Sequence, residues 1–174
     1  MSQVYLILGG AGLVGTQVCR QICQKLSPAR IIVASLLERE AVPACEALAA
    51  EFQGVQFEPA WGNLFVPTEF ANLSRGALLS DESKRARLLQ FIFGPIRAAY
   101  ESNHLAVLIR KHRPEVIVDC VNTATGISYQ DVWESTATLS QGMSELKESG
   151  SSLADEPEFA QDLETSLLAQ AMPQ

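Results

Sequence analysis

The sequence predicts a three-layer α/β fold built on a parallel sheet. Three observations predict it. Val4-Tyr5-Leu6-Ile7-Leu8 is an unbroken apolar run with β-branched and aromatic members, as in a strand buried on both faces. Beyond it Val14, Val18, Ile22 and Leu26 recur every fourth residue, which is one face of a helix. Short apolar runs and amphipathic segments then alternate along the chain, and such alternation implies parallel strands joined by crossover helices.

Taken in order, the first strand begins almost at the N-terminus and ends at Gly9-Gly10. The helix from Gly12 to Lys25 is stopped by Ser27-Pro28. Ile31–Ala34 is a second buried strand. Val42 to Phe52 reads as a helix with Pro43 in its first turn, where a missing N–H costs nothing. Gly54 follows it, and Val55–Glu58 is the third strand. In residues 67–95 the pattern weakens. Arg75 and Gly76 interrupt it, and Asp81 to Phe93 is a short helix capped by Asp81 or Ser80 and stopped by Gly94-Pro95. Ile96 to Lys111 reads as one strong helix carrying Ala99, Leu105, Ala106, Leu108 and Ile109. Pro114 closes it, and Val116–Val118 is a fourth strand. Gln141 to Ala154 is polar and rich in Ser, Gly and Glu, as in a mobile linker. Glu158 to Met172 regains a helical period through Phe159, Leu163, Leu167 and Leu168. The expected organisation is a core at residues 1–140, a polar acidic linker at 141–156, and a C-terminal helix of the same domain at 157–174.

Composition excludes several function classes. The net charge of −7 argues against nucleic acid as a bulk partner, because phosphate binding wants a basic face. Much of that charge lies at the C-terminal end, where Glu145, Glu148, Asp155, Glu156, Glu158, Asp162 and Glu164 face Lys147 alone. No apolar run reaches the ~20 residues of a membrane span. Met1-Ser2-Gln3 lacks the basic start of a signal peptide. The expectation is a cytoplasmic protein with no membrane partner. Cys19, Cys23, Cys45 and Cys120 lack the paired spacing of a zinc site and read as reduced, buried thiols. His104 and His112, with no carboxylate in a ligand pattern nearby, read as solvated or capping residues. Arg110-Lys111-His112-Arg113 complements a helix C-terminus, and Trp61 and Trp133 read as packing residues at loop ends.

The chemistry-bearing motif is Gly10-x-Gly12-x-x-Gly15, which follows a strand and opens a helix. A turn that receives a pyrophosphate needs no Cβ where the backbone bends, where it meets the anion, and where helix packs on strand. The free N–H groups of the helix then face the anion, aided by the helix dipole. The competing reading is a turn that needs glycine for steric reasons alone. About 20 residues further on, at the end of the second strand, an acidic side chain would accept from an adenosine ribose. That position holds Ser35, and the nearest carboxylate is Glu38 in Ser35-Leu36-Leu37-Glu38-Arg39. A hydroxyl with a following arginine suits a 2′-phosphate better than a free 2′-hydroxyl. The expected cofactor is therefore NADP, slightly ahead of NAD. In the alternatives, Ser35 and Arg39 are solvated loop residues, or Glu38 turns inward to take the ribose diol and NAD is the ligand. Asp119, at the end of the fourth strand, is either a site carboxylate or a hydrogen-bonding partner of its own loop. Thr123, Thr125 and Ser128 either present hydroxyls near a nicotinamide or turn the chain.

Leu8-Gly9-Gly10-Ala11-Gly12-Leu13-Val14-Gly15 resembles the TGxxGxxG loop of the short-chain dehydrogenase/reductase superfamily, especially its extended, epimerase/dehydratase-like branch. Gly9, Gly12 and Gly15 match the three glycines, and Leu8 replaces the threonine. That branch carries a G-D-L tripeptide that contacts adenine. Gly62-Asn63-Leu64 stands in its place, with Asn63 for Asp. Its P-D-V-V-x-H-x-A-A segment is similar to Pro114–Asn122, with Asp119 for the histidine and Val121-Asn122 for the alanine pair. The resemblance covers residues 4–125 and implies a Rossmann-type fold. With Ser35 and Arg39, the expected cofactor-binding residues are Gly9, Gly12, Leu13, Val14, Gly15, Asn63, Leu64, Val121 and Asn122. The implied activity is that of an oxidoreductase, epimerase or dehydratase acting on a small carbonyl compound or nucleotide sugar.

The family's acid/base machinery is a Tyr-x-x-x-Lys pair. Four residues beyond Tyr5, Tyr100 and Tyr129 stand Gly9, His104 and Trp133, so this sequence lacks the pair. Catalytic residues stay unassigned. The resemblance implies either a fold truncated before its fifth strand, needing a C-terminal half or partner chain, or a divergent member. The alternative function is a non-catalytic dinucleotide-binding sensor or scaffold.

Overall fold

The computed structural model describes residues 3–121, 126–150 and 152–171. Its strands are β1 (Val4–Leu8), β2 (Arg30–Ser35), β3 (Gln56–Trp61) and β4 (Val116–Asp119). Its helices are α1 (Leu13–Leu26), α2 (Glu38–Glu51), α3 (Arg75–Leu79), α4 (Glu82–Phe93), α5 (Ile96–Ser102), α6 (His104–His112), α7 (Gly126–Ser149) and α8 (Pro157–Ala171). They divide into two compact units, residues 1–72 with 97–121, and residues 73–96 with 122–174.

The first unit holds a parallel sheet in the order β3-β2-β1-β4. Successive side chains of a strand point to opposite faces; both faces of β1 and β2 are covered, whereas β4, expected as a buried strand, leaves Ile117 44% exposed. Tyr5, Ile7, Ile31 and Val33 pack with Cys19 and Ile22 of α1 and Cys45 and Leu48 of α2. Leu6, Leu8, Ile32 and Ala34 pack on the other side with Leu64 and with Leu108 of α6. The unit is thus the expected three-layer, Rossmann-like arrangement. Each fully buried Leu or Ile contributes about 1.5–3 kcal/mol, which explains why the central strands read as unbroken apolar runs. Pro59 stands inside β3, longer and later than the expected Val55–Glu58; a proline is tolerated there because β3 is an edge strand.

Several expectations need correction. The second helix begins at Glu38, so Pro43 lies inside it rather than in its first turn. The charged first turn, Glu38-Arg39-Glu40, has no apolar period, but acidic residues there complement the helix dipole. On α1 the buried face is Gly15, Cys19 and Ile22, whereas Val14 and Leu26 are 66% and 58% exposed. The helix is rotated because Gly15 lets its first turn press against the preceding loop. The single helix expected over Ile96–Lys111 is two, broken at Asn103, whose side chain caps α6 by accepting from the Ala106 N–H at 2.9 Å. His104 and His112 are not solvated but buried, at 8% and 2% exposure. Gln141–Ser149, expected as linker, is the end of α7.

In the second unit Asp81 caps α4, as expected, accepting from the Lys84 N–H at 3.1 Å. Helices α7 and α8 meet at Gly142, where a β-carbon would stand 2.0 Å from Phe159 Cε2. Leu88 of α4 and Leu168 of α8 are fully buried. The buried Arg85 guanidinium donates to the Leu79 carbonyl at 2.8 Å and meets Glu164 of α8 at 3.4 Å.

At the N-terminal end of the sheet, Arg30 joins Glu58 at 3.1 Å and donates to the His112 carbonyl at 2.7 Å, while His112 Nδ1 lies 3.4 Å from Glu58. Burial holds the His112 pKa below its ordinary value; Glu58 pulls it upward, and Lys111 and Arg30 depress it further. A histidine whose folded pKa is depressed stabilises the fold fully above the unfolded value, about 6.5, and that contribution is lost as pH falls through the folded pKa. Urea midpoints should therefore fall between pH 7.5 and pH 5.5. His112→Gln should flatten that difference, and a variant with the same pH dependence as the wild type would assign it to another group.

Candidate functional site

The C-terminal ends of the four parallel strands lie along one edge of the sheet, and the glycine turn leaves β1 at that edge. Gly10 N–H donates to the Ala34 carbonyl at 2.8 Å, tying the turn to the end of β2. Gly62 N–H donates to the Ser35 carbonyl at 3.1 Å, tying the end of β3 to β2. Cys120 N–H donates to the Leu8 carbonyl at 2.9 Å, tying the end of β4 to β1. Within the turn, Gly12 N–H donates to the Gly9 carbonyl at 3.0 Å.

The glycines differ in what demands them. Gly9 has φ +70°, and a β-carbon there would lie 3.0 Å from the Cys120 carbonyl oxygen. At Gly15 a β-carbon would stand 2.2 Å from the Gly9 carbonyl oxygen, so the helix packs on the turn backbone to backbone. Gly12 has an ordinary φ of −74°. A β-carbon there would meet the Gly9 carbonyl oxygen at 3.2 Å and nothing else within 4 Å. It is the N-cap of α1 and brings no side chain to cap the helix. The first-turn N–H groups of a helix have no intrahelical partner, and Leu13, the first residue of α1, is 92% exposed.

At the end of β2, Ser35 donates its hydroxyl to Glu40 at 2.6 Å. Glu40 folds back from the first turn of α2, beside exposed Arg39. Counting along the chain misses it, because distance along the sequence finds the strand end but not a side chain returning from the helix. Asn63 Oδ1 accepts from the Phe65 N–H at 3.0 Å, which shapes its own loop. Leu64 is buried in the core.

The start of α6 grips that loop. His104 Nε2 lies 2.9 Å from the Trp61 carbonyl oxygen, Asn103 Nδ2 donates to the Leu64 carbonyl at 3.2 Å, and His104 N–H donates to the Val66 carbonyl at 3.0 Å. With Nε2 as donor, His104 Nδ1 is the bare nitrogen, buried without a hydrogen-bond partner. Gly62 fits beneath it with φ +118°; a β-carbon would come within 3.0 Å of His104 Nε2. The sequence signal for this clamp is the Asn103 cap, which marks a helix start where periodicity alone runs on.

Asp119 Oδ1 accepts from the Val121 N–H at 2.8 Å, so of its two sequence readings the loop bond is present. Val121 packs half-buried against the core. Asn122, Thr123 and Thr125 lie outside the described residues, as do the side chains of Ser128, Tyr129 and Trp133. Burial pushes the Cys19 thiol up to about 12 and the Cys45 thiol to about 11, and also raises Cys23 and Cys120. All four are free thiols, protonated at neutral pH. No cluster of three or more His, Cys, Asp or Glu poised for a metal ion occurs among the described residues.

This division of labour is testable by stability alone. Gly15→Ala should destabilise the fold by about 3 kcal/mol or more, the upper range of overpacking. Gly12→Ala should cost far less, since only one carbonyl must give way. Thermal unfolding followed by circular dichroism checks both, and equal stabilities would contradict the backbone packing at Gly15.

Comparison of the chain with protein-family models, with curated proteins and with solved structures finds no match.

Proposed function

We propose that the chain binds a nicotinamide dinucleotide and is the cofactor-binding part of an oxidoreductase resembling the short-chain dehydrogenases and epimerases. The observation that carries this reading is Gly12. Backbone packing closes off a side chain at Gly9 and Gly15, whereas at Gly12, the uncapped head of α1, a β-carbon would meet a single carbonyl oxygen, at 3.2 Å. A pyrophosphate approaching there is received by the first-turn N–H groups and the positive end of the helix dipole.

The sheet order supports the same reading. The chain runs outward from β1 to β2 and β3, then returns to β4 on the other side of β1. The crevice at such a reversal, outside the carboxyl ends of the strands, is where open α/β sheets receive ligands. Gly9 and the Cys120 backbone meet at that point. The adenosine would extend toward Ser35 and the Gly62–Leu64 loop, with Asn63 and the backbone of that loop as partners for the base. Loss of the His104 hydrogen bond would loosen this loop. When bound, the nicotinamide supplies hydride transfer; the residues of this chain hold and orient the dinucleotide. By the same resemblance, the substrate would be a small carbonyl compound or a nucleotide sugar.

The second reading is a sensor or scaffold that binds the dinucleotide without turnover. The lack of a Tyr-x-x-x-Lys pair in this sequence favours it. Fluorescence titration with NADH and NADPH tests the shared premise. Binding is expected, and Gly12→Val should abolish it while the circular dichroism spectrum stays native. Equal affinity in the variant would remove the glycine turn from the site. No nicotinamide oxidation is expected from the chain alone over a panel of alcohols, ketones and nucleotide sugars. Turnover that survives Tyr100→Phe and Tyr129→Phe would place the acid/base group elsewhere, with Asp119 first to examine.

A further inference from the structure

We infer that Ser35 and Glu40 act as one unit that selects a dinucleotide with a free adenosine 2′-hydroxyl, so that the chain takes NAD(H) in preference to NADP(H). This rests on the dinucleotide reading above and reverses the cofactor order expected from the sequence. The position that usually carries a ribose-reading carboxylate, at the strand end, holds Ser35. The structure brings a carboxylate to that place by another route, since the Ser35 hydroxyl donates to Glu40 Oε2 at 2.6 Å.

Three consequences follow from that bond. It occupies the Ser35 proton, so the hydroxyl is not free to donate to a phosphate oxygen. It fixes Glu40 at the end of β2 with Oε1 still able to accept from a sugar hydroxyl. It also keeps a negative charge beside the Gly62 loop, because Gly62 N–H is bound to the Ser35 carbonyl at 3.1 Å. A 2′-phosphate adds up to about two negative charges and would meet that carboxylate, with Glu38 in the same turn. Arg39 is the cation available to offset them, but it is exposed and flanked by both glutamates. A neutral diol meets no such repulsion.

Parallel calorimetric titrations with NADH and NADPH decide the matter. The wild type should bind NADH about tenfold to a hundredfold more tightly, the range set by one charge-assisted hydrogen bond. Glu40→Gln keeps the shape and removes the charge; it should weaken NADH and strengthen NADPH, bringing the ratio toward one. Ser35→Ala releases the carboxylate without removing it, so NADH should weaken while NADPH stays weak. Wild-type affinity for NADPH equal to or above that for NADH overturns the inference and leaves the dinucleotide reading standing, as does a ratio unchanged in Glu40→Gln. Selective loss of NADPH in Arg39→Ala would restore the order expected from the sequence. If folded wild-type protein binds neither dinucleotide, the dinucleotide reading itself fails, and the inference with it.

Discussion

The constraint on which the rest depends is the burial of β1. It lies between β2 and β4 with both faces covered, and Leu6 and Ile7 are wholly inaccessible. A strand enclosed in this way offers its neighbours no free edge, and the chain can leave it only at its end. The next helix must then lie back over the strand it has just left. A turn that reverses within four residues needs the helix to touch the loop through backbone, and Gly15 against the Gly9 carbonyl is that touch. The position of the α1 terminus, and hence the direction of its free N–H groups, follows from this packing rather than from any polar interaction.

Because packing sets the turn, the anion-receiving part of the proposed site consists of backbone dipoles, and side-chain charge enters only at its margin. Ser35 with Glu40 is that margin. The opposite end of the sheet makes an instructive contrast. Arg30, Glu58 and His112 form a charged cluster there, with His112 buried and its pKa depressed. Judged by perturbed ionisation alone, His112 would be the more conspicuous functional candidate. The cluster's place at the N-terminal end of parallel strands, with Arg30 bound to the last carbonyl of α6, makes it a device that ties helix to sheet.

What was legible in the sequence was what burial on both sides imposes. Strands closed on two faces must be continuously apolar, so Val4–Leu8 and Ile31–Ala34 stood out, and the spacing of Gly9, Gly12 and Gly15 marked the turn between strand and helix. What was illegible involved residues whose role depends on a return in space. The start of α2 was hidden because its first turn is charged and exposed. The break between α5 and α6 was hidden because both halves keep an apolar face, and only the Asn103 cap records it. His104 looked like a stray polar residue because its partner, the Trp61 carbonyl, lies 43 positions away. Glu40 was missed for the same reason at shorter range.

These features bear on chemistry as well as on binding. A dehydrogenase needs a group whose proton affinity is tuned to exchange with a hydroxyl near neutral pH. Among the described residues near the turn, Asp119 is engaged with its own loop, and the Cys120 thiol is pushed up by burial and by Asp119, away from the thiolate form. Tyr100, on α5, stacks its exposed ring against the Arg110 guanidinium at 5.1 Å. In the proposed reading, the turn, the Ser35–Glu40 pair and the loop clamp act on where a dinucleotide lies and on which dinucleotide it is. Holding the nicotinamide in register with a substrate, and moving a proton to or from that substrate, are separate tasks with separate geometric demands. A domain can satisfy the first completely while leaving the second to other residues, which is why affinity and turnover must be measured apart.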